Sequence, residues 1–557
     1  MRGVDPDKRT TYPCIHDLYK MYNKGLFANW VPKPLQLLLI AIFSAFTMSL
    51  SGVNTGNITY MYSSMGSMSE YFSMANYATT IGMGAVMPLV MRFKFRFKVR
   101  DKLTFAFVFI AALSLLSATT NQPELIVFTA FLVGFMKMFV MIEFFLPLMM
   151  ILSPDGNRGK FYSVFYPFAI IVSQVINYIS VDVSVRYNWE HFYILTAIGA
   201  LLMALLCWIF MHNQYFSVKM PLYYIDWLSV LLFAATFLFS AYVFTFGKQQ
   251  DWLNSPKIID ASIAAFACFV MLAFRQTRLK RPYISFKIFK RKNVYSGLLM
   301  LLMLGMFLAT GTVQNIFAVS ILGYDLVTNA ELNLWMIPGM VASGVIGMMW
   351  FRQNINIKFF VLSGFAALIA YCIIMYFSMV PEMNFERWYL PMILKGYGMC
   401  SLYITIWFYM MDKLDINDMM AAIGLALVWR SFIAVAVFSA LFYWFQYDFQ
   451  VTSLGDMAVY LDGINLSQPV AMQNLKVFQI NAILAANKKL FGYIIIAGIG
   501  IMIYVLQHGF GKERFTSYNR YVRLIKGRGL IAQRRRREQL ILERSAEGIK
   551  DAAGSAF

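Results

Sequence analysis

The sequence predicts an all-α polytopic membrane protein with fourteen transmembrane helices, and three observations carry that reading. Of its 557 residues 59% are hydrophobic and 14% charged, against about 25% charged in ordinary soluble domains. Runs of about 20 residues nearly free of charge recur between Leu35 and Leu506, and at 1.5 Å of rise per residue each is long enough for a hydrocarbon core of about 30 Å. The basic residues alternate between successive connections. With the N-terminus on the cytoplasmic side, 38 of the 48 Lys and Arg fall in one set of segments, 7 in the other and 3 within spans, which is the excess that cytoplasmic loops hold.

The spans are expected at 35–57, 72–91, 103–119, 126–152, 161–181, 192–211, 224–246, 258–274, 294–319, 332–350, 358–379, 388–411, 420–446 and 490–507. An even count places both termini on the cytoplasmic face. The polar arm 1–34 lacks a short apolar core with a small-residue cleavage site, so the first span is read as its own insertion signal. The one long external connection, 447–489, is expected as a loop, either a partner contact or helical hairpin, or a plain linker. In the stretch "GKQQDWLNSPKI" between spans 7 and 8, Ser255 and Pro256 suit the cap and first residue of a helix.

The net charge of +20 is largely this topology signal, with basic residues placed to meet anionic headgroups. The tail 508–557, with its run Arg534 to Arg537, interleaves aromatic, aliphatic and basic residues as a membrane-hugging segment does. That reading is preferred over a nucleic-acid contact. The five cysteines are scattered without disulfide or zinc spacing, and neither a phosphate-cradling Gly-x-x-x-x-Gly-Lys nor a His-Glu-x-x-His occurs. These absences argue against an ATP-driven pump and a soluble-type enzyme, and no cofactor is expected.

Several motifs then carry a resemblance. "YIDWLSVLL" opens span 7, "GKQQDWLNSPKI" follows it, "RPYISFKIFKRKN" precedes span 9, "LGYDLVTNAELNLWMIPG" surrounds span 10, and "GLALVWRSFIAVAVFSA" places Arg430 in span 13. In this order they resemble the signposts of the 14-helix drug:proton antiporters of the EmrB/QacA type, within the major facilitator superfamily, over roughly residues 35–510. The resemblance implies a major facilitator fold arranged 6+2+6. Its parts would be an arm 1–34, a six-helix bundle 35–211, two inserted helices with a linker at 212–293, a second bundle 294–507, and the basic tail. It also implies a bacterial inner (plasma) membrane, and a proton-coupled exporter of drugs or small amphipathic molecules working by alternating access. Some members of the family work with a periplasmic adaptor protein and an outer-membrane channel, and 447–489 lies on the side where an adaptor would dock. Departures are clear: the acid usual in span 1 is replaced by "LSGVNTGNITY", and the Gly-Pro-x-x-Gly-Gly of span 5 by "SQVINY". A non-transporting scaffold or receptor on the same fold is the alternative reading.

A charge inside a bilayer costs roughly 2.5 to 3.5 kcal/mol on insertion scales and normally faces a cavity or a partner. Four lie well within spans: Lys137 and Glu143 in span 4, Lys395 in span 12 and Arg430 in span 13. Lys137 and Glu143 are about 240° apart around a helix and do not share a face. Pro147 has no N–H to give to the carbonyl of Glu143, so a kink is expected beside the acid. Glu143 is the proton-coupling candidate, and its structural alternative is an ion pair with Arg430 or Lys137. Asn54, Asn57, Gln314 and Asn315 are expected to line the cavity, because unpaired amides cost free energy in lipid. Three cations against one carboxylate suit lipophilic weak acids or zwitterions better than organic cations, and the 38 Met and 51 Phe offer walls that repack around varied ligands.

Overall fold

A computed structural model describes residues 26–28, 30–50, 58–153, 157–213, 225–279, 282–353, 355–412, 414–458 and 468–510. Its main helices are α1 (Lys33–Ser49), α2 (Ser69–Val86), α3 (Val99–Thr119), α4 (Pro123–Leu152), α5 (Arg158–Arg186), α6 (Trp189–Phe210) and α7 (Trp227–Phe246). They continue with α8 (Pro256–Arg278), α9 (Lys292–Ile321), α10 (Leu326–Arg352), α11 (Ile357–Ser378), α12 (Tyr389–Met410), α13 (Asp418–Met457) and α14 (Gln468–Gln507). Local chemistry sets many of the starts. Proline opens α4 and α8, where its missing N–H is no loss. The Asn157 side chain accepts from the Gly159 N–H at α5 and Asn356 from the Lys358 N–H at α11. Ser255 does sit in the cap position of α8, but its side chain makes no capping bond.

Among the described residues eleven helices are long and apolar enough to cross a membrane. The described parts of the stretches expected as the first, second and twelfth spans are largely helical but are not among those eleven. Described helix in the first ends at Ser49 after 17 residues, and the second carries serines, threonines and Glu70. Helix α12 is long enough at 22 residues, but it carries Lys395 and four tyrosines and is buried along nearly its whole length. A helix shielded by its neighbours does not need a lipid-compatible surface.

Of the alternatives for 447–489, the described residues fit the helical hairpin and not a plain linker, since helix enters and leaves the segment and the two helices pack together. The chain stays helical to Ala458, and α14 begins at Gln468. The polar residues that suggested a loop stand among good helix formers, and no Gly or Pro interrupts 470–491. At 40 residues each, α13 and α14 run about 60 Å, roughly twice a hydrocarbon core.

The helices pack in two groups. In the first, α2 and α3 lie on α4, α6 lies on α3, and α1 lies on α4 and α5. In the second, α11 packs on α12 and α14, α10 on α12, and α9 on α12 and α13. The α7–α8 pair leans on α2 through α7. The ends of the first group meet where the Ala28 N–H donates to the Phe210 carbonyl at 2.9 Å and the His212 N–H to Leu26 at 3.2 Å. That end, which also holds Lys94, Lys102 and Arg158, is called the basic end below.

The two groups touch through α2 on α13 and through α5 on α10 and α12. Gly84 and Gly424 face one another there. A Cβ on Gly84 would stand 2.8 Å from the Gly424 carbonyl oxygen, and one on Gly424 2.7 Å from that of Gly84, so only glycine allows the approach. Close by, Asn157 Nδ2 donates to the Phe351 carbonyl at 3.2 Å and Arg158 Nη1 to that of Met411 at 3.3 Å. Both bonds join one group to the other at the basic end.

Candidate functional site

Helix α4 carries two buried charges about 9 Å apart along its axis, from six residues at 1.5 Å each. Glu143, with no exposed surface, sits toward the basic end. Lys94, from the short helix Val90–Arg96, is 3.3 Å from its Oε2, and Lys102, at the start of α3, hydrogen-bonds Oε1. The partners expected for an ion pair, Arg430 and Lys137, are therefore not the ones it has. Lys94 and Lys102 counted in the sequence only as basic loop residues. Their long side chains reach down to the carboxylate because α2, the connection and α3 all pack against α4. Pro147 lies one turn on, inside a helix that continues to Leu152.

Lys137 is 1% exposed, and Arg430, from the other group, is a like charge close enough to act on it. Arg430 stands in an eight-residue π-helical stretch, Trp429–Ala436, a local rewinding that often marks functional sites. Its guanidinium carbon lies 5.0 Å from the centre of the Tyr403 ring, a cation–π contact. Tyr403 stacks at 6.2 Å on Tyr166, which in turn lies 6.0 Å from Trp407. Tyr166 belongs to α5 and the other two rings to α12. Two cations and three aromatic rings contributed by both groups thus gather at the seam between them.

A second cluster lies within the second group. Lys395 Nζ donates to Gln314 Oε1 at 2.9 Å and sits 5.1 Å from the centre of the Tyr371 ring. The Tyr371 hydroxyl lies 3.4 Å from the same Gln314 oxygen and 3.3 Å from Thr310 Oγ1. All four side chains are buried, Lys395 to 5% exposure. Neither Lys395 nor Arg430 makes an ion pair among the described residues.

Of the residues singled out in the sequence, Gln314 and Lys395 come together and Lys137 comes near Arg430. Asn315 turns away from Gln314, exposed, with Asn329 Nδ2 at 3.5 Å from its oxygen. Asn54 and Asn57 lie outside the described residues. Sequence reasoning missed Lys94, Lys102, Tyr166, Tyr371 and Tyr403. Tyrosines within apolar spans were the available signal for the last three, since a hydroxyl in lipid needs a partner.

No family model matches the chain, and no curated protein matches it. Solved structures do. Tetrameric PepTSo2 in the I4 space group aligns with a TM-score of 0.51 at 13% identity, over 86% of this chain and 98% of that one. The same protein in the P4212 space group gives 0.52, with the same identity and coverage. A mutant of the nucleoside transporter NupG gives 0.48 at 12% identity, over 83% of this chain and 98% of that one. The PepTSo2 alignments show the fold: the described residues form an all-helical, multi-pass membrane architecture, the major facilitator fold.

Proposed function

We propose that the protein is a secondary active transporter that moves small amphipathic molecules by alternating access, in the export direction. The observation that carries this is the seam: buried Lys137, with Arg430, Tyr166, Tyr403 and Trp407, stands where two helix groups meet that are hydrogen-bonded to each other at the basic end. Charges with an insertion cost of a few kcal/mol each are what a passage for polar groups requires, and a scaffold has no need of them. Two helix groups that separate and rejoin around such a site would expose it to each side in turn.

Proton coupling belongs to the same proposal, with Glu143 as its carboxylate. The double lysine pairing favours a second role for Glu143, a latch that ties the α2–α3 connection to α4. The two separate in proteoliposomes of the full chain under an imposed pH gradient, with carboxyfluorescein as anionic and ethidium as cationic probe. The expected result is gradient-driven movement of carboxyfluorescein in preference to ethidium, reduced at least tenfold by Arg430→Ala. Glu143→Gln would abolish the gradient dependence if the carboxylate carries the proton, and would leave it intact if Glu143 is only a latch. Movement of neither probe favours the scaffold reading, and a preference for ethidium overturns the charge assignment.

A further inference from the structure

We propose that Lys395, Gln314 and Gly311 form a subsite for a carboxylate group of the transported molecule. This rests on the transporter reading and adds a substrate class to it, organic acids with an apolar body. An ammonium has three N–H donors, and at Lys395 one of them is taken up by Gln314 Oε1 at 2.9 Å. The Tyr371 ring supplies a face but no charge. A lysine 5% exposed with no carboxylate beside it among the described residues is an incomplete ion pair, and such a group is costly unless something completes it.

Gly311 shows where the missing partner fits. Apart from its own helix backbone and chain neighbours, a Cβ built on Gly311 would have one heavy atom within 4 Å, Lys395 Nζ at 3.8 Å. Most helix-facing glycines in this protein are pressed against a neighbouring backbone or side chain at under 3 Å. Beside Gly311 there is room, and the ammonium borders it. The Gln314 NH₂ donates to no described residue, so a second donor stands next to the first. A carboxylate that accepts from both would be held by charge-assisted bonds, shorter and about twice as strong as neutral ones. Buried Phe491, whose ring centre lies 6.3 Å from that of Tyr371, is an apolar neighbour of the cluster.

The test measures thermal stabilisation of the full chain in detergent by three aromatic acids, benzoate, 3-phenylpropionate and 2-naphthoate, each against its neutral amide. At least one acid should stabilise the wild type with an apparent affinity tenfold or more above that of its amide, which is about 1.4 kcal/mol. Lys395→Met should remove the preference and raise the melting temperature without ligand, because the uncompensated charge is gone. Gly311→Ala meets Nζ at ordinary contact distance, so it should keep the ligand-free melting temperature and weaken the acid at least tenfold. No acid exceeding its amide, or a preference that survives both substitutions, overturns the subsite. Acid preference without movement in proteoliposomes would instead count against the transporter reading and leave the subsite standing.

Discussion

Removing the carboxylate of Glu143 would leave two ammonium groups facing each other in a place where water has little access. Lys94 and Lys102 are 2% and 9% exposed, and Glu143 not at all. Breaking a buried pair from one side costs about 3 to 5 kcal/mol, because the remaining charge keeps its desolvation penalty. Glu143→Gln is therefore expected to lower the melting temperature of the solubilised protein, and adding Lys94→Met to recover part of the loss. Equal melting temperatures for Glu143→Gln and wild type would show that the carboxylate is not structural. The charged residues of the candidate site were legible in the sequence because a charge within an apolar run stands out. Their partners were not, since Lys102 is 41 residues from Glu143 and Lys395 is 81 from Gln314. Pairing over such distances depends on which helices pack together, and no local pattern encodes that.

The hairpin of α7 and α8 is closed at the basic end by polar groups. Arg275 donates to Asp226 through Nη2 at 2.8 Å and through Nε at 3.1 Å, and Gln276 Nε2 donates to Ser229 Oγ at 2.7 Å. Burial acts to raise the Asp226 carboxyl, but hydrogen bonds from Arg275 and Ser229 outweigh it and hold the group below its usual value of 3.8. A depressed carboxylate adds stability that is present above the unfolded value and lost as the pH falls through the folded one. Wild type should therefore lose melting temperature below about pH 3.8 more steeply than Asp226→Asn, whose hairpin lacks that titration. Parallel curves would remove Asp226 from the account. At this scale most of the fold could be read from apolar runs, prolines and caps. The reach of α13 and α14 could not, because a helix that leaves the bilayer has the polarity of a loop. The far turn of the α7–α8 hairpin is tighter than the sequence suggested. Asp251 and Trp252 both take left-handed backbone, at φ 57° and 51°, a conformation that costs a residue with a side chain, and the Trp252 N–H donates to the Gly247 carbonyl at 2.7 Å. Lys248 then rests on the Tyr443 ring at 3.5 Å, which ties the hairpin to α13.

For the molecule as a whole, the decisive contact is the one between helix groups at the basic end. Gly84→Ala would put a methyl 2.4 Å from the Val428 side chain and 2.8 Å from the Gly424 carbonyl oxygen. Relief needs α2 and α13 to part, at a cost of about 1 to 3 kcal/mol. Ser163, 1% exposed on α5 against Gly344 and Gly347 of α10, tests whether that parting carries along the rest of the seam. In a Ser163→Cys background, Gly84→Ala is expected to raise labelling of residue 163 by a hydrophilic maleimide at least tenfold, read by peptide mass. Unchanged labelling would mean that the seam does not open there. The fold class was legible in composition and charge alternation, whereas this closure was not, because glycines are common in apolar helices and only the packing shows which two meet. Their meeting has a thermal consequence. Ordering a buried side chain costs nothing for glycine and about 1.5 to 2 kcal/mol for a lysine or methionine. Where Gly84 and Gly424 meet, the two glycines themselves have no rotamers to freeze, so parting and rejoining there would exchange backbone contacts with little side-chain entropy, and the balance between the two should shift only weakly on warming.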